Sequence, residues 1–390
     1  MPRTIALTAL LHRHLLLFPF VVAGITSAVI ARADERSGGA AKALTSPERG
    51  HIFVIGKGQG SARIEAFNPG AEQKIKLVGF AALSLNQLRD RTTTIGPDVA
   101  IDLGGGQELK IAGLGKEVLT SVQITLDRNG LSPSFVDEFD DLSLDLEDGA
   151  APRGRWRTNF GYGGPTSVHS RTLVNNGELE VYVDPKFAGT GSKSLNLNPF
   201  RLAGGKLDIV AQPLDKAIQP VAWDRTYSSG LLTTKASFSQ QYGLFEIRAK
   251  VPAGKGLWPA FWLLPANGAW PPELDVLEIL GDNPAKVYMS WHSNADGKHS
   301  SETKTIDIPD ASAGFHTYSV EWTKDTINWF FDDIEVASAP TPPDLHQPMY
   351  MLVNMAVGGG WPGTPNASTK FPASYSIDWV RAYARPAQPE

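Results

Sequence analysis

Residues 254–280 read GKGLWPAFWLLPANGAWPPELDVLEIL, and two features of this stretch decide the fold. Leu257–Pro265 and Glu273–Leu280 are apolar runs of strand length, rich in aromatic and branched residues. Asn267-Gly268 and the paired prolines Pro271-Pro272 separate them, which is turn chemistry between strands. The second run also carries three acids, Glu273, Asp275 and Glu278. In a regular strand residues 273, 275 and 277 share a face and 278 points the other way. A bulge between Asp275 and Glu278 supplies the one residue needed to bring all three carboxylates onto one face. Clustered carboxylates repel and are costly to desolvate, so such a cluster persists where chemistry requires it. Two carboxyl groups about 5–5.5 Å apart are what a retaining glycosidase needs, one to attack the anomeric carbon and one to protonate the leaving oxygen. A half-exposed edge strand with its acids in water, as in many sugar-binding modules, fits the spacing equally well.

Outward from this stretch the texture stays the same. Eleven aromatic-rich runs follow one another from about Leu131, among them GELEVYVD, GKLDIVAQP, GLFEIRAKV, KVYMSWHS, TINWFFDDIEV, MYMLVNMAV and YSIDWVRAYA. Short strands with turns between them and almost no helical periodicity predict one large all-β sandwich over residues 131–390. Residues 51–130 carry shorter alternating runs such as ARIEAF, KIKLVGF, DVAIDL and QELKIAGL, with a helical patch at Ala82–Arg89, and predict a small, mostly β accessory module. Residues 34–50, small and polar, read as a flexible linker.

The first 33 residues hold Arg3 and Arg13, then an apolar run from Leu15 to Ile30, then Ala31-Arg32-Ala33. That is the pattern of a secretory signal cut after Ala33, and the run is short for a membrane anchor. The remaining chain would hold 33 basic and 41 acidic residues, a soluble surface not drawn to anionic membranes. There is no cysteine, hence no disulfide framework and no thiolate metal site. No basic cluster suggests nucleic acid as a partner. A monomer is expected.

The pattern around the acids resembles glycoside hydrolase family 16. The resemblance rests on GKGLWPAFWLLP and the acidic strand, on Trp291-His292, on GFHTYSVEW (314–322), on NMAVGGGWPG (354–363) and on IDWVRAY (377–383), and covers about residues 132–387. It implies a concanavalin-like β-jelly-roll sandwich of two antiparallel sheets with a polysaccharide lying in a groove. It further implies Glu273 as nucleophile, Asp275 as its helper and Glu278 as acid/base, with no cofactor for catalysis. The spacing before Glu278 matches the bulged, laminarinase-like branch, and WPPELDVLEILGDNP and NPFRLAGGKLDIVAQP look most like bacterial glycanases that trim acidic exopolysaccharides such as succinoglycan.

Trp258 and Trp361 match family positions beside the catalytic subsites, and aromatic faces stack on sugar rings. Trp262, Trp322 and Trp379, alternating with apolar neighbours, are expected in the core. His292 matches a family histidine on the leaving-group side, although the usual small-Thr-Leu-His is here Met289-Ser290-Trp291-His292. Glu178 is read either as a partner of a sugar hydroxyl or as a solvent-facing residue. Asp378 matches a position that in many members helps hold a structural Ca²⁺. Arg155, Arg171, Arg225 and His169 are candidates for acidic substituents on the glycan, or ordinary surface charges. The accessory module resembles modules that accompany calcium-binding β-roll repeats in exported bacterial proteins, without those repeats, and a glycan-binding role and a spacer role both stay open. A transglycosylase on the same residues and a non-catalytic glycan-binding sandwich are the competing readings.

Secreted material is expected to begin at Asp34, which N-terminal sequencing checks; a protein starting at Met1 would remove the leader assignment.

Overall fold

The computed structural model describes residues 29–30, 41–49, 51–71, 73–78, 80, 88, 91–114, 124–127, 131–146, 152–162, 164 and 166–385. Most of the leader read at 1–33 and nearly all of the helical patch read at Ala82–Arg89 lie outside them.

The second half is an all-β sandwich. One sheet runs in the order Leu144–Asp145, Trp156–Arg157, Leu231–Thr233, Met349–Val357, Leu257–Pro265, Glu273–Glu278, Lys286–Ser293 and Ser300–Asp307. The other runs Glu180–Tyr182, Tyr227–Ser229, Leu207–Pro213, Ala373–Ala384, Gly243–Lys250, His316–Trp322, Thr326–Phe331 and Ile334–Pro340. Ser132–Asp137 and Phe200–Leu202 add to this second sheet. Neighbouring strands are antiparallel except for two short pairs, Leu144–Asp145 with Trp156–Arg157 and Glu180–Tyr182 with Tyr227–Ser229. The run TINWFFDDIEV divides into two strands, because Asp332 and Asp333 both take positive φ (48° and 68°) and close a two-residue hairpin.

Alternation along each strand sorts side chains between the two faces. Phe261, Leu263, Leu274, Val276, Met351, Val353, Phe245, Ile247, Val320 and Trp322 meet between the sheets and are buried. Each such side chain contributes about 1.5–3 kcal/mol relative to exposure. Trp329 also lies in this core, and its indole Nε1 donates across the inter-sheet space to the backbone carbonyl of Asp275 at 2.9 Å. That carbonyl sits where the ladder between Glu273–Glu278 and Lys286–Ser293 breaks register. A bulge strips a backbone group of its ladder partner, and a buried group of that kind needs another.

The N-terminal module has its own buried cluster, including Ile64, Ile75, Leu77, Ile101 and Leu109. Ile52–Gly56, Lys74–Val78 and Ile124–Asp127 stack in parallel, with Val29–Ile30 beside the first. Lys42–Leu44, Ala62–Ile64 and Gln107–Ile111 stack in parallel in a second sheet, extended by Asp98–Gly104 and Thr92–Ile95. The linker reading of residues 34–50 is therefore corrected at its C-terminal end. Lys42–Leu44 is a strand, and Leu44 and Ser46 are buried. Three residues are too few to show a period, so the composition hid it.

Replacing Trp329 by Phe removes the buried indole donor to the Asp275 carbonyl, which costs about 1–3 kcal/mol beyond the lost volume. Trp322 is equally buried but its indole nitrogen has no hydrogen-bond partner. Urea unfolding is expected to show a larger loss for Trp329→Phe than for Trp322→Phe; equal losses would mean the carbonyl contact contributes nothing.

Candidate active site

The acidic strand Glu273–Glu278 lies between Leu257–Pro265 and Lys286–Ser293. On the second neighbour Glu273 pairs with His292, Asp275 with Ser290 and Glu278 with Tyr288. Those partners are two residues apart on an unbroken strand and share a face. The register shift between Asp275 and Glu278 absorbs the extra residue, so the three acids share that face too. All three line one groove of about 760 Å³.

Each carboxyl group is held by an uncharged donor or by its neighbours. Trp270 Nε1 donates to Glu273 Oε2 at 2.7 Å, and Trp258 Nε1 donates to Glu278 Oε1 at 3.1 Å. His292 Nε2 lies 3.7 Å from Glu273 Oε1 and 3.4 Å from Asp275 Oδ2. Asp275 is 2% exposed and Glu273 keeps 16% of its side chain open to the groove. Loss of water, and then the charge of Asp275, pushes the Glu273 carboxyl up to about 8. Desolvation pushes Asp275 up to about 7, opposed by its hydrogen bond with Glu273. Glu278 is held well above the usual carboxylate range by desolvation first and by the charges of Asp275 and Glu273 second. The three therefore titrate as one coupled group with protons shared among them.

The groove continues over aromatic residues. Trp361 is 43% exposed, with its ring edge-on to Trp258 at 5.3 Å and to Tyr288 at 4.8 Å. Its loop is anchored from beneath: Gly360 N donates to Asn176 O at 2.9 Å, and Val357 N donates to Glu180 Oε2 at 2.7 Å. Gly358 has φ 76°, and a Cβ there would meet Leu179 Cγ at 2.5 Å, so only glycine fits the turn. Glu178 lines the groove but does not face solvent: it is 2% exposed and accepts from Asn176 Nδ2 at 3.0 Å and Leu173 N at 3.2 Å. Desolvation raises both Glu178 and Glu180, the latter further through the charge of Glu178.

Trp262, Trp322 and Trp379 are all buried, as expected. Trp262 lies in a buried cluster with Phe160, Tyr182 and Tyr350 on the groove floor. It stands opposite Asp275 in the ladder and so shares its face; its Nε1 donates to Asn354 Oδ1 at 2.7 Å. Trp379 is buried away from the inter-sheet cluster, under the Arg381 guanidinium at 4.0 Å. Arg171 is an internal strut, paired with Asp184 at 2.6 Å and bonded to Thr158 O, and Arg225 donates to Glu178 O at 2.7 Å. Arg155 is half exposed beside Asp137, and of the four basic candidates His169 alone lines the groove. Asp378 occupies a bulge in Ala373–Ala384 and accepts from Arg248 Nε at 3.1 Å through Oδ2, while its Oδ1 is buried without a hydrogen-bond partner.

Sequence reasoning did not single out Trp270, Glu180, Asn354 or His299. Trp270 carried a usable signal, standing three residues before Glu273 on the far side of two prolines.

A groove that brings carboxyl groups together beside exposed indoles is the arrangement a glycoside hydrolase uses. The chain belongs to glycosyl hydrolases family 16. That family's model matches residues 199–381. Endo-1,3-1,4-beta-glycanase ExsH of Rhizobium meliloti (strain 1021) is 41% identical over 327 residues, covering 83% of this chain and 67% of that protein. EglC of the same organism, also an endo-1,3-1,4-beta-glycanase, is 39% identical over 334 residues, covering 85% and 69%. Among solved structures, the laminarinase catalytic domain from Thermotoga maritima MSB8 aligns with a TM-score of 0.51 at 29% identity, covering 65% of this chain and 98% of that one. SCLam, a non-specific endo-beta-1,3(4)-glucanase, aligns with a TM-score of 0.53 at 27% identity, covering 66% and 92%.

Because the folded-state values of these carboxyls are raised, the native state holds protons that the unfolded chain gives up. Their contribution to stability is full below about pH 4.5 and is lost as pH rises toward 8. Glu278→Gln removes one of the three charges. It is expected to raise the melting temperature more at pH 8 than at pH 5. Thermal scans at the two pH values check this, and an equal or reversed difference would contradict the shared-proton description.

Proposed function

We propose that the protein is a secreted, monomeric, endo-acting β-glycan hydrolase that works with retention of configuration. Glu273 is the nucleophile, Asp275 its helper and Glu278 the acid/base. The observation that carries this reading is the bulged strand with three carboxyl groups on one groove-lining face, two of them held by indole N–H groups. Glu278, held protonated by desolvation, donates its proton to the departing glycosidic oxygen while Glu273 attacks the anomeric carbon. Donation from the Trp270 indole and the nearby His292 imidazole favour the Glu273 carboxylate for that attack, against the charge of Asp275. Glu278, now ionised, takes a proton from water as the water resolves the glycosyl-enzyme.

Trp258 and Trp361 offer stacking faces on one side of the acids, and His292 bounds the other side. The names of the two Rhizobium relatives favour a glycan containing β-1,3 and β-1,4 linkages. Arg171 is buried against Asp184 and the half-buried Arg225 donates to the Glu178 carbonyl, which favours neutral sugars next to the cleavage point. Catalysis requires no metal. A structural Ca²⁺ at Asp378 would use Oδ1, which lacks a partner, with Arg248 on Oδ2. Export rests on the leader pattern, and no helix among the described residues is long and apolar enough to cross a membrane.

Glu273→Gln is expected to abolish turnover while glycan binding survives, because an amide cannot attack but keeps the shape of the groove. Glu278→Gln should lower the rate by roughly 10²–10⁴, less on substrates with good leaving groups, and azide should rescue it with a β-configured product. Hydrolysis of lichenan and laminarin with product configuration followed by NMR tests the reading. An inverted product, or full activity in Glu273→Gln, would overturn it.

A further inference from the structure

Three side chains meet across the strand pair Glu273–Glu278 and Lys286–Ser293 with two carboxylate oxygens and one imidazole nitrogen turned toward a common point. His292 Nε2 is 3.4 Å from Asp275 Oδ2 and 3.7 Å from Glu273 Oε1, and one ligand atom from each residue lies within 4.8 Å of the others. Atoms bound tetrahedrally to Zn²⁺ at about 2.0–2.2 Å stand roughly 3.4 Å apart. Two edges of the triangle are already close to that spacing.

A second observation points the same way. Asp275 Oδ2 is buried and has no hydrogen-bond partner, in a residue 2% exposed. A buried carboxylate oxygen left unmet is costly, and the His292 nitrogen stands 3.4 Å from it. That nitrogen is prepared to act as a ligand from behind. His292 Nδ1 lies 2.9 Å from His299 Nε2, and the two rings stack at 5.2 Å, with Trp270 against His299 at 5.2 Å. With the hydrogen on Nδ1 and shared with His299, His292 Nε2 presents its lone pair to the acids, the arrangement that orients metal-binding histidines. Among the described residues this is the only group of three or more acids and histidines with ligand spacing. One nitrogen and two oxygens, with the remaining side open to the groove, suit Zn²⁺ and not Mg²⁺, which demands an octahedral oxygen shell.

The geometry points to a Zn²⁺ site on Glu273, Asp275 and His292 whose occupation takes the Glu273 oxygen out of reach of the sugar and reversibly stops turnover. The binding stands on the coordinates alone, and the inhibition rests on Glu273 being the nucleophile.

Calorimetric titration of the whole mature chain with zinc sulfate is expected to show one ion per chain in the micromolar range, with no binding of magnesium chloride at the same concentrations. His292→Gln and His299→Ala should each weaken zinc by about 10–100-fold. Cobalt chloride added to the unaltered chain should give the intense visible absorption of four-coordinate cobalt, a readout that needs no variant. A weak octahedral cobalt spectrum, or zinc binding of the same strength in both variants, overturns the site. Turnover of lichenan measured in the same zinc titration should fall in step with occupancy and return on chelation. Full turnover by the zinc-loaded chain, with the cobalt spectrum as expected, would leave the site standing and remove Glu273 as nucleophile.

Discussion

The 2.9 Å contact between the Trp329 indole and the Asp275 carbonyl is the point on which the groove depends. A strand that stays in register alternates its side chains, and no regular strand can turn 273, 275 and 278 to one side. At the bulge that does so, the Asp275 carbonyl points into the core between the sheets. The opposite sheet meets it with a donor that reaches through the core from Thr326–Phe331. The acid-bearing face is thus supported by a side chain of the core, and the packing of the two sheets and the placement of the acids are one problem.

Once the acids share a face, their environment sets their chemistry. Burial raises all three, and mutual repulsion raises Glu273 and Glu278 further. The donors differ: Glu278 has the Trp258 indole, Glu273 has Trp270 with His292 nearby, and one oxygen of Asp275 has nothing. Like groups with unlike partners are separated in proton affinity, which acid and base work within one cluster requires.

Much of this was legible because strands write their facing in parity. The spacing of the three acids within an apolar run required a bulge, and the register shift between Asp275 and Glu278 is that bulge. Parity also carried information that was read too loosely: Trp262 has the parity of Trp258, and both line the groove. What stayed hidden was set by partners far away in sequence. Ser300–Asp307, an edge strand of Ser, Thr and charged residues apart from Ile306, has no apolar face to announce it. Glu180 lies within an expected strand run, but its role depends on Val357. Arg171 and Arg225 read as partners of acidic substituents or as surface charges, and their actual partners, Asp184 and the Glu178 carbonyl, lie far off in sequence or on the backbone.

The supports of the three acids have one property in common. Among the described residues neither a lysine nor an arginine forms an ion pair with any of them; their donors are indole N–H groups, and the nearest titratable base is an imidazole. Attraction between exposed ions fades as the Debye length shrinks from about 10 Å at 0.1 M salt to about 3 Å at 1 M. A dipole donating at short range in a place that excludes water is hardly screened. The cluster is therefore built to keep its shape and its proton affinities from dilute to concentrated salt, a form of tolerance that a guanidinium clamp would not have given it.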